Sequence, residues 1–326
     1  MGPVVTPRTT GVVILNYGDP GDTLRCLRSL ENSTDLDMDI LVVNNGPEDA
    51  LHEELVREVG SRASVISTGD NLGYAAGNNL GISWVMERGC DLVWILNPDT
   101  LVAPTTLAIL REHLDATPDC GMVGPRLVLP GKPPRIWFDG GLVDLATAVT
   151  EHVNLGVPVR KAPAPVVRDA DYVTGASLLV RRLVVEQVGP IPDQYFLYCE
   201  EVDWCRRVAA AGWRVMVDQR ATMHHLKRSS TSLPKPYYLY YMTRNRYLFA
   251  EDSLGLDGEV ALAHLDQVFL APYRRNVERD APHWLAAFDD LVALAKADAR
   301  NRVYGRNDVI TQYPSADEEV HVTHGA

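Results

Sequence analysis

Five apolar residues in a row, Leu92-Val93-Trp94-Ile95-Leu96, run without a break into Asn97-Pro98-Asp99-Thr100. Such a run reads as a strand buried on both faces, and Pro98, with no backbone N–H to give a ladder, ends it. Asp99 is thereby delivered to the rim of a sheet. In open α/β sheets ligands bind outside the carboxyl ends of the strands, so a carboxylate there is either a ligand or metal contact or a turn residue serving its own backbone.

The residues before this run alternate in the same way. Gly11–Tyr17 is a β-branched run closed by Gly18, Pro20 and Gly21, and a helix follows with Leu24, Leu27 and Leu30 on one face and Asp22 as its N-cap. Asp39–Val43 is a second strand ending at Asn44-Asn45-Gly46-Pro47, Leu51, Leu55 and Val59 mark a second helix, and Ser64–Ser67 a third strand. Strand, helix, strand, helix at this spacing implies parallel crossovers in a doubly wound α/β sheet. A nucleotide is the first ligand to consider for such a sheet, yet neither GxGxxG after the first strand nor GxxxxGK[ST] anywhere is present. Instead Asp70-Asn71-Leu72-Gly73-Tyr74-Ala75-Ala76-Gly77-Asn78-Asn79 enters a helix. Its small residues either admit a ligand to the backbone at a helix N-terminus or simply allow tight packing.

These tips, in this order, resemble family 2 glycosyltransferases, and most of all their rhamnosyltransferase-like branch, over residues 10 to 250: Asn16-Tyr17, Val42–Gly46, Asn71–Asn78 and Leu96–Thr100. The resemblance implies a GT-A (nucleotide-diphospho-sugar transferase) fold, a doubly wound mixed sheet flanked by helices. It implies a catalytic domain over 11–250, with a nucleotide-sugar-binding half (11–120) and an acceptor half (121–250). A helical appendage (251–314) follows, and the ends, 1–10 and 315–326, are expected to be flexible. The nucleotide-sugar contacts it implies are Asn16, Tyr17, Asn44, Asn45, Asn71, Gly73, Tyr74, Gly77, Asn78, Asn97 and Asp99. Two positions depart from the family. Asn97 stands first in what is usually a DxD motif, which leaves Asp99 as its one carboxylate and gives Asn97 to the ribose or sugar. Asn44 stands where Asp is common, and an amide there can still donate and accept.

Farther along, Ala103–Asp115 reads as a helix and Gly121–Arg126 as a return to the sheet. Residues 131–171 read as an irregular excursion, either a cover for a site or plain connecting chain. Tyr172–Val180 reads as a strand broken at Gly175-Ala176. Glu200, Glu201 and Asp203 open a helix, where acids complement the dipole; a carboxylate after so many aromatic residues could also be a general base with a raised pKa. The resemblance assigns that base to Glu201, with Glu200 and Asp203 beside it, although the family more often has Asp. It places Gly175, Ala176, Tyr198 and Trp204 on the acceptor side. Gly212–Asp218 reads as a last short strand. After it comes His224-His225, with His225 the better match to a metal-ligating histidine and His224 the second, and Lys227, Arg228 and Ser230 lie near the diphosphate or in a solvated loop.

The implied cofactor is a divalent cation, Mn²⁺ or Mg²⁺, held by Asp99 and His225. The implied donor is a UDP- or dTDP-sugar, a rhamnose-like deoxysugar or an N-acetylhexosamine. The acceptor is a hydroxyl or amine of a glycan, a lipid-linked or a carrier-bound small molecule, in cell-envelope polysaccharide or natural-product biosynthesis. The competing class is a catalytically silent sugar-nucleotide-binding scaffold. A net charge of −12 argues against nucleic-acid binding. Five cysteines without metal-like spacing suit reduced, buried thiols. Residues 1–10 lack a signal-like apolar region, and no window approaches the ~20 apolar residues of a membrane span. A cytoplasmic protein is expected, with peripheral contact at the inner face of the membrane as an option. The Pro236–Tyr247 stripe of Tyr and Arg could stack on a sugar, lie against a membrane interface or pack a helix. The C-terminal helices could also pair two copies as a homodimer.

Overall fold

The computed structural model describes residues 9–226 and 233–316. Lys227, Arg228 and Ser230 lie outside those residues, as do 1–8 and 317–326. Strands β1 (Thr10–Asn16), β2 (Met38–Asn44), β3 (Ser64–Ser67) and β4 (Leu92–Leu96) alternate with helices α1 (Gly21–Leu30), α2 (Ala50–Val59) and α3 (Tyr74–Glu87). They pair in parallel in the order β4-β1-β2-β3. Every residue of β1 and β4 is buried, as unbroken apolar runs require. Asp22 is not the N-cap of α1. Pro20 precedes the first turn, Asp19 Oδ1 accepts the Gly21 N–H at 2.7 Å, and Asp22 pairs with Arg25 inside the helix.

The chain then adds β5 (Thr100–Val102), α4 (Thr106–Ala116), β6 (Cys120–Leu129), β7 (Arg135–Phe138), β8 (Gly141–Val143), β9 (Thr150–His152), β10 (Val167–Asp169), β11 (Ser177–Arg181), α5 (Arg182–Val188), α6 (Glu200–Ala210) and β12 (Arg214–His225). The sheet order is β10-β12-β6-β11-β4-β1-β2-β3, with β5 also on β12 and β7 on β6. It is mixed because β11 runs antiparallel to both β4 and β6. This is the GT-A architecture.

Three sequence readings change. Residues 131–171 are not irregular throughout: they hold four short strands, two of them paired with β6 and β12. The Gly175-Ala176 pair lies before β11 and does not break it, so the strand begins only at Ser177. The last strand is long, because β12 runs on past Asp218 to His225, with a register shift between Asp218 and Thr222. Both histidines therefore sit in a strand, paired with Leu101 and Thr100 of β5.

The described residues divide into two compact units, the first containing the sheet and the second comprising 144–149, 197–199 and 233–316. In the second, α7 (Pro236–Leu254), α8 (Gly258–Leu265), α9 (Ala271–Asp280) and α10 (Leu285–Arg300) follow one another, with Leu262, Leu265, Phe288 and Leu291 buried and Val268 exposed. Tyr240 and Tyr241 are fully buried, the Tyr240 hydroxyl donates to Asp298 Oδ2 at 2.5 Å, and the Arg244 guanidinium lies 4.9 Å from the Tyr241 ring centre. This part of the Tyr and Arg stripe packs the helix.

Candidate active site

At the carboxyl ends of β1 and β2 the asparagines bond to one another. Asn16 Oδ1 accepts from the Thr23 hydroxyl at 2.7 Å and its Nδ2 donates to Asn44 Oδ1 at 3.3 Å. Asn44 Nδ2 donates to the carbonyl of Pro47 at 3.1 Å. Asn45 reaches the next loop: Nδ2 donates to Asn71 Oδ1 at 3.2 Å and to Gly73 O at 3.1 Å, and Oδ1 accepts the Leu72 N–H at 3.0 Å. All three strand-tip amides are buried, whereas the Tyr17 side chain beside them is exposed. Gly77 lies against Leu15 and Asn45, and Asn78 is buried with its Nδ2 on Tyr74 O.

At the β4 tip, Asp99 and His225 come together. The antiparallel pairing of β5 with the end of β12 sets His225 opposite Thr100, and His225 Nε2 stands 3.3 Å from Asp99 Oδ1. The Leu226 N–H closes the corner onto Asp99 O at 2.6 Å. The His225 ring is buried and stacked on Trp137 of β7, with centroids 4.3 Å apart and planes 7° from parallel. His152 Nδ1 in turn bonds Trp137 O at 2.9 Å. Sequence reasoning missed Trp137, which sits in the supposed irregular excursion. His225 Nδ1 is buried and has no hydrogen-bond partner among the described residues. His224 occupies the neighbouring strand position, where β-sheet alternation turns it to the opposite, exposed face.

The pair fits a divalent cation. Adjacent ligands of a six-coordinate ion with bonds of ~2.1 Å stand about 3 Å apart, close to the Asp99–His225 separation. Among the described residues no group of three or more His, Cys, Asp or Glu could hold a metal ion, so no third such side chain joins the pair there.

The third group forms at the start of α6. Glu200 is buried with Oε2 unpartnered, and burial, then the adjacent Glu201, pushes its carboxyl well above the usual carboxylate range. Glu201 is half-buried. Burial raises its carboxyl too, against backbone N–H groups of Glu201, Gly175 and Val202 that favour the anion. Asp203 is differently engaged, accepting from Arg207 at 2.8 Å and from the Tyr195 hydroxyl at 3.3 Å. The approach to α6 is strained: Phe196, Tyr198 and Cys199 have φ of 67°, 71° and 76°. Such conformations cost on the order of 1–3 kcal/mol each and cluster at functional sites.

Gly175 and Ala176 tie the start of α3 to the β4 tip. The Gly175 carbonyl accepts the Tyr74 hydroxyl at 2.7 Å, and Ala176 O accepts the Asn97 N–H at 3.1 Å. Trp204 points into the core, with Nε1 on Gly189 O. Tyr198 belongs to the second unit, where its ring meets Tyr238 edge-on.

Residues 11–148 match the model of the family described as Glycosyl transferase family 2. Residues 11–148 thus resemble a family 2 glycosyltransferase domain, and the relatives of the chain are named glycosyltransferases. This glycosyltransferase is 28% identical to the N-acetylglucosaminyl-diphospho-decaprenol L-rhamnosyltransferase of Mycobacterium tuberculosis, over 74% of this chain and 83% of the relative. It is 22% identical to a low-salt glycan biosynthesis hexosyltransferase of Haloferax volcanii, over 73% of this chain and 74% of that one. Among solved structures, a mannosyltransferase from Pyrobaculum calidifontis in complex with GDP-Man and Mn²⁺ superposes with a TM-score of 0.55 at 13% identity, covering 91% of this chain and 88% of that one. The enzyme is a rhamnosyltransferase-like glycosyltransferase acting on a nucleotide sugar. No described helix is long and apolar enough to cross a membrane.

Proposed function

We propose that the enzyme transfers a sugar from a UDP- or dTDP-sugar, with inversion, to a hydroxyl or amine acceptor, and that Asp99 and His225 hold a divalent cation on the donor diphosphate. The observation that carries this reading is the continuity of one sheet edge. Glu201 acts electrostatically on the Tyr74 phenol, whose hydroxyl donates to Gly175 O; Ala176 O accepts the Asn97 N–H, and the β4 tip leads to Asp99 beside His225. A base and a diphosphate anchor thus share one connected frame.

In this reading Glu201 removes the proton from the acceptor oxygen or nitrogen as that atom attacks the anomeric carbon. The bond from that carbon to the diphosphate oxygen breaks on the opposite face, so one displacement inverts the anomer. A bound Mn²⁺ or Mg²⁺ supplies Lewis-acid stabilisation of the charge that collects on the leaving diphosphate. The Asn71–Gly73 loop and the β1 and β2 tips shape the nucleotide side, with Tyr17 as the exposed ring there. Asn97, partly exposed beside Asp99, serves the ribose or sugar. The mycobacterial relative's name favours a rhamnose-like sugar and a lipid-linked acceptor. The Pyrobaculum complex supports Mn²⁺.

The test is a screen of UDP-, dTDP- and GDP-sugars for release of nucleoside diphosphate, with Mn²⁺, with Mg²⁺ and in EDTA. Release with one UDP- or dTDP-sugar, abolished by EDTA, is expected. Activity unchanged in EDTA would remove the metal assignment. Nucleotide binding without release from any donor would leave a binding scaffold.

A further inference from the structure

We propose that Trp137 is a positioning residue for His225, holding the imidazole by stacking where a hydrogen bond to its second nitrogen ordinarily does so. The inference rests on the reading of Asp99 and His225 as ligands of the cation and deepens it. A metal-ligating histidine usually donates its other ring N–H to a carboxylate, a carbonyl or water, and that bond fixes the orientation of the ring. His225 turns Nε2 toward Asp99 Oδ1 at 3.3 Å, yet its Nδ1 is buried and has no hydrogen-bond partner among the described residues.

In place of that bond the ring lies flat on the Trp137 indole, with centroids 4.3 Å apart and planes 7° from parallel. The pairing of His225 with Thr100 of β5 fixes the backbone from which the side chain departs. It leaves the torsion about Cβ–Cγ, which is broad and roughly two-fold for histidine. Rotation about that bond would drive an edge of the imidazole into the indole, so the stack holds the ring in the plane from which Nε2 faces Asp99. Trp137 is itself well restrained. Its neighbours Ile136 and Phe138 are fully buried and pair with Val128 and Leu127 of β6, which anchors the strand while the indole between them is half-buried. The Trp137 carbonyl accepts from His152 Nδ1 at 2.9 Å, and the His152 ring meets the indole edge-on with centroids 4.9 Å apart. A ligand ring is thus braced by a second ring carried on a rigid strand, the arrangement that holds a site to its working geometry.

The experiment measures Kd for UDP and for dTDP by calorimetry, each in EDTA and in Mn²⁺, for wild type, Trp137→Ala, Trp137→Phe, His225→Ala and the Trp137→Ala, His225→Ala double variant. The ratio of the EDTA value to the Mn²⁺ value reads the contribution of the cation alone. Trp137→Ala should shrink that ratio about 10- to 100-fold, the usual worth of a group that orients a metal ligand, with Kd in EDTA unchanged. Trp137→Phe keeps an aromatic face and should restore most of the ratio. The double variant should match His225→Ala, because the indole acts only through the imidazole. A merely structural tryptophan would weaken nucleotide binding in EDTA as much as in Mn²⁺, and that result would overturn the proposal. An unchanged ratio in Trp137→Ala, no recovery in Trp137→Phe, or losses that multiply in the double variant would overturn it as well. A wild-type ratio near unity, or one that His225→Ala leaves intact, would instead bring down the metal assignment, and the proposal with it.

Discussion

The tips of β1 and β2 and the edge where β4, Gly175 and α6 meet are both crowded with polar side chains, and they use them in opposite ways. On the first, Asn16, Asn44, Asn45 and Asn71 bond to each other and to nearby backbone, so buried amides are satisfied within the protein. On the second, Glu200 Oε2 and His225 Nδ1 are buried without partners among the described residues, two carboxyls are adjacent, and the backbone enters α6 through three positive φ values at non-glycine residues. Buried groups left unsatisfied are expensive and persist where a ligand or a reaction repays them. In the proposed function the satisfied region builds the frame, and the unsatisfied one is assigned the chemistry.

That contrast can be broken most forcefully at the Asp99–His225 pair. The Asp99→Ala, His225→Ala double variant should lose more than about 100-fold in kcat/KM, since even outer partners of metal ligands are worth 10–100-fold. Its thermal midpoint should change little, and activity near wild type would refute the metal assignment. Trp137→Ala should weaken Mn²⁺ binding about 10- to 100-fold, read by electron paramagnetic resonance of free Mn²⁺, because the stack holds the His225 ring. Trp137→Phe should recover most of that affinity. On the satisfied side the readout reverses. Asn45→Ala strands the Leu72 N–H and Gly73 O, and should cost about 1–3 kcal/mol in urea unfolding while leaving kcat of the folded fraction close to normal. Equal damage to kcat would blur the division between the regions.

The smallest effect is expected at Glu200. The folded state holds its proton to a higher pH than the unfolded state, so stability falls as pH rises from the ordinary carboxylate range toward the raised folded value. Glu200→Gln removes that dependence. The gain in thermal midpoint should therefore be larger at pH 8 than at pH 5, and a difference flat with pH would contradict a raised carboxyl.

What could be read in the sequence divides along physical lines. β1, β2 and β4 are buried on both faces and announce themselves as local apolar runs, and their tips place Asn16, Asn44 and Asp99 correctly at the sheet edge. β5 has only three residues and exists because β12 pairs with it. The far half of β12 alternates buried with exposed polar residues, Thr222, His224 and His225 among them, so its strand character comes from partners distant in sequence. β7 is equally dependent on β6, and for that reason nothing local marked Trp137 as the ring beneath His225. The carboxylates of Glu200 and Glu201 are visible as a pair, but only the fold shows that Oε2 of Glu200 is buried with no hydrogen-bond partner among the described residues.

The most direct test of the account is Glu201→Gln, assayed for transfer and for Mn²⁺-dependent binding of the donor nucleotide on the same preparation. The account predicts a fall in kcat of ~10²–10⁴, the usual worth of a positioned general base, with nucleotide Kd unchanged. Turnover within a few-fold of wild type at intact binding would contradict it.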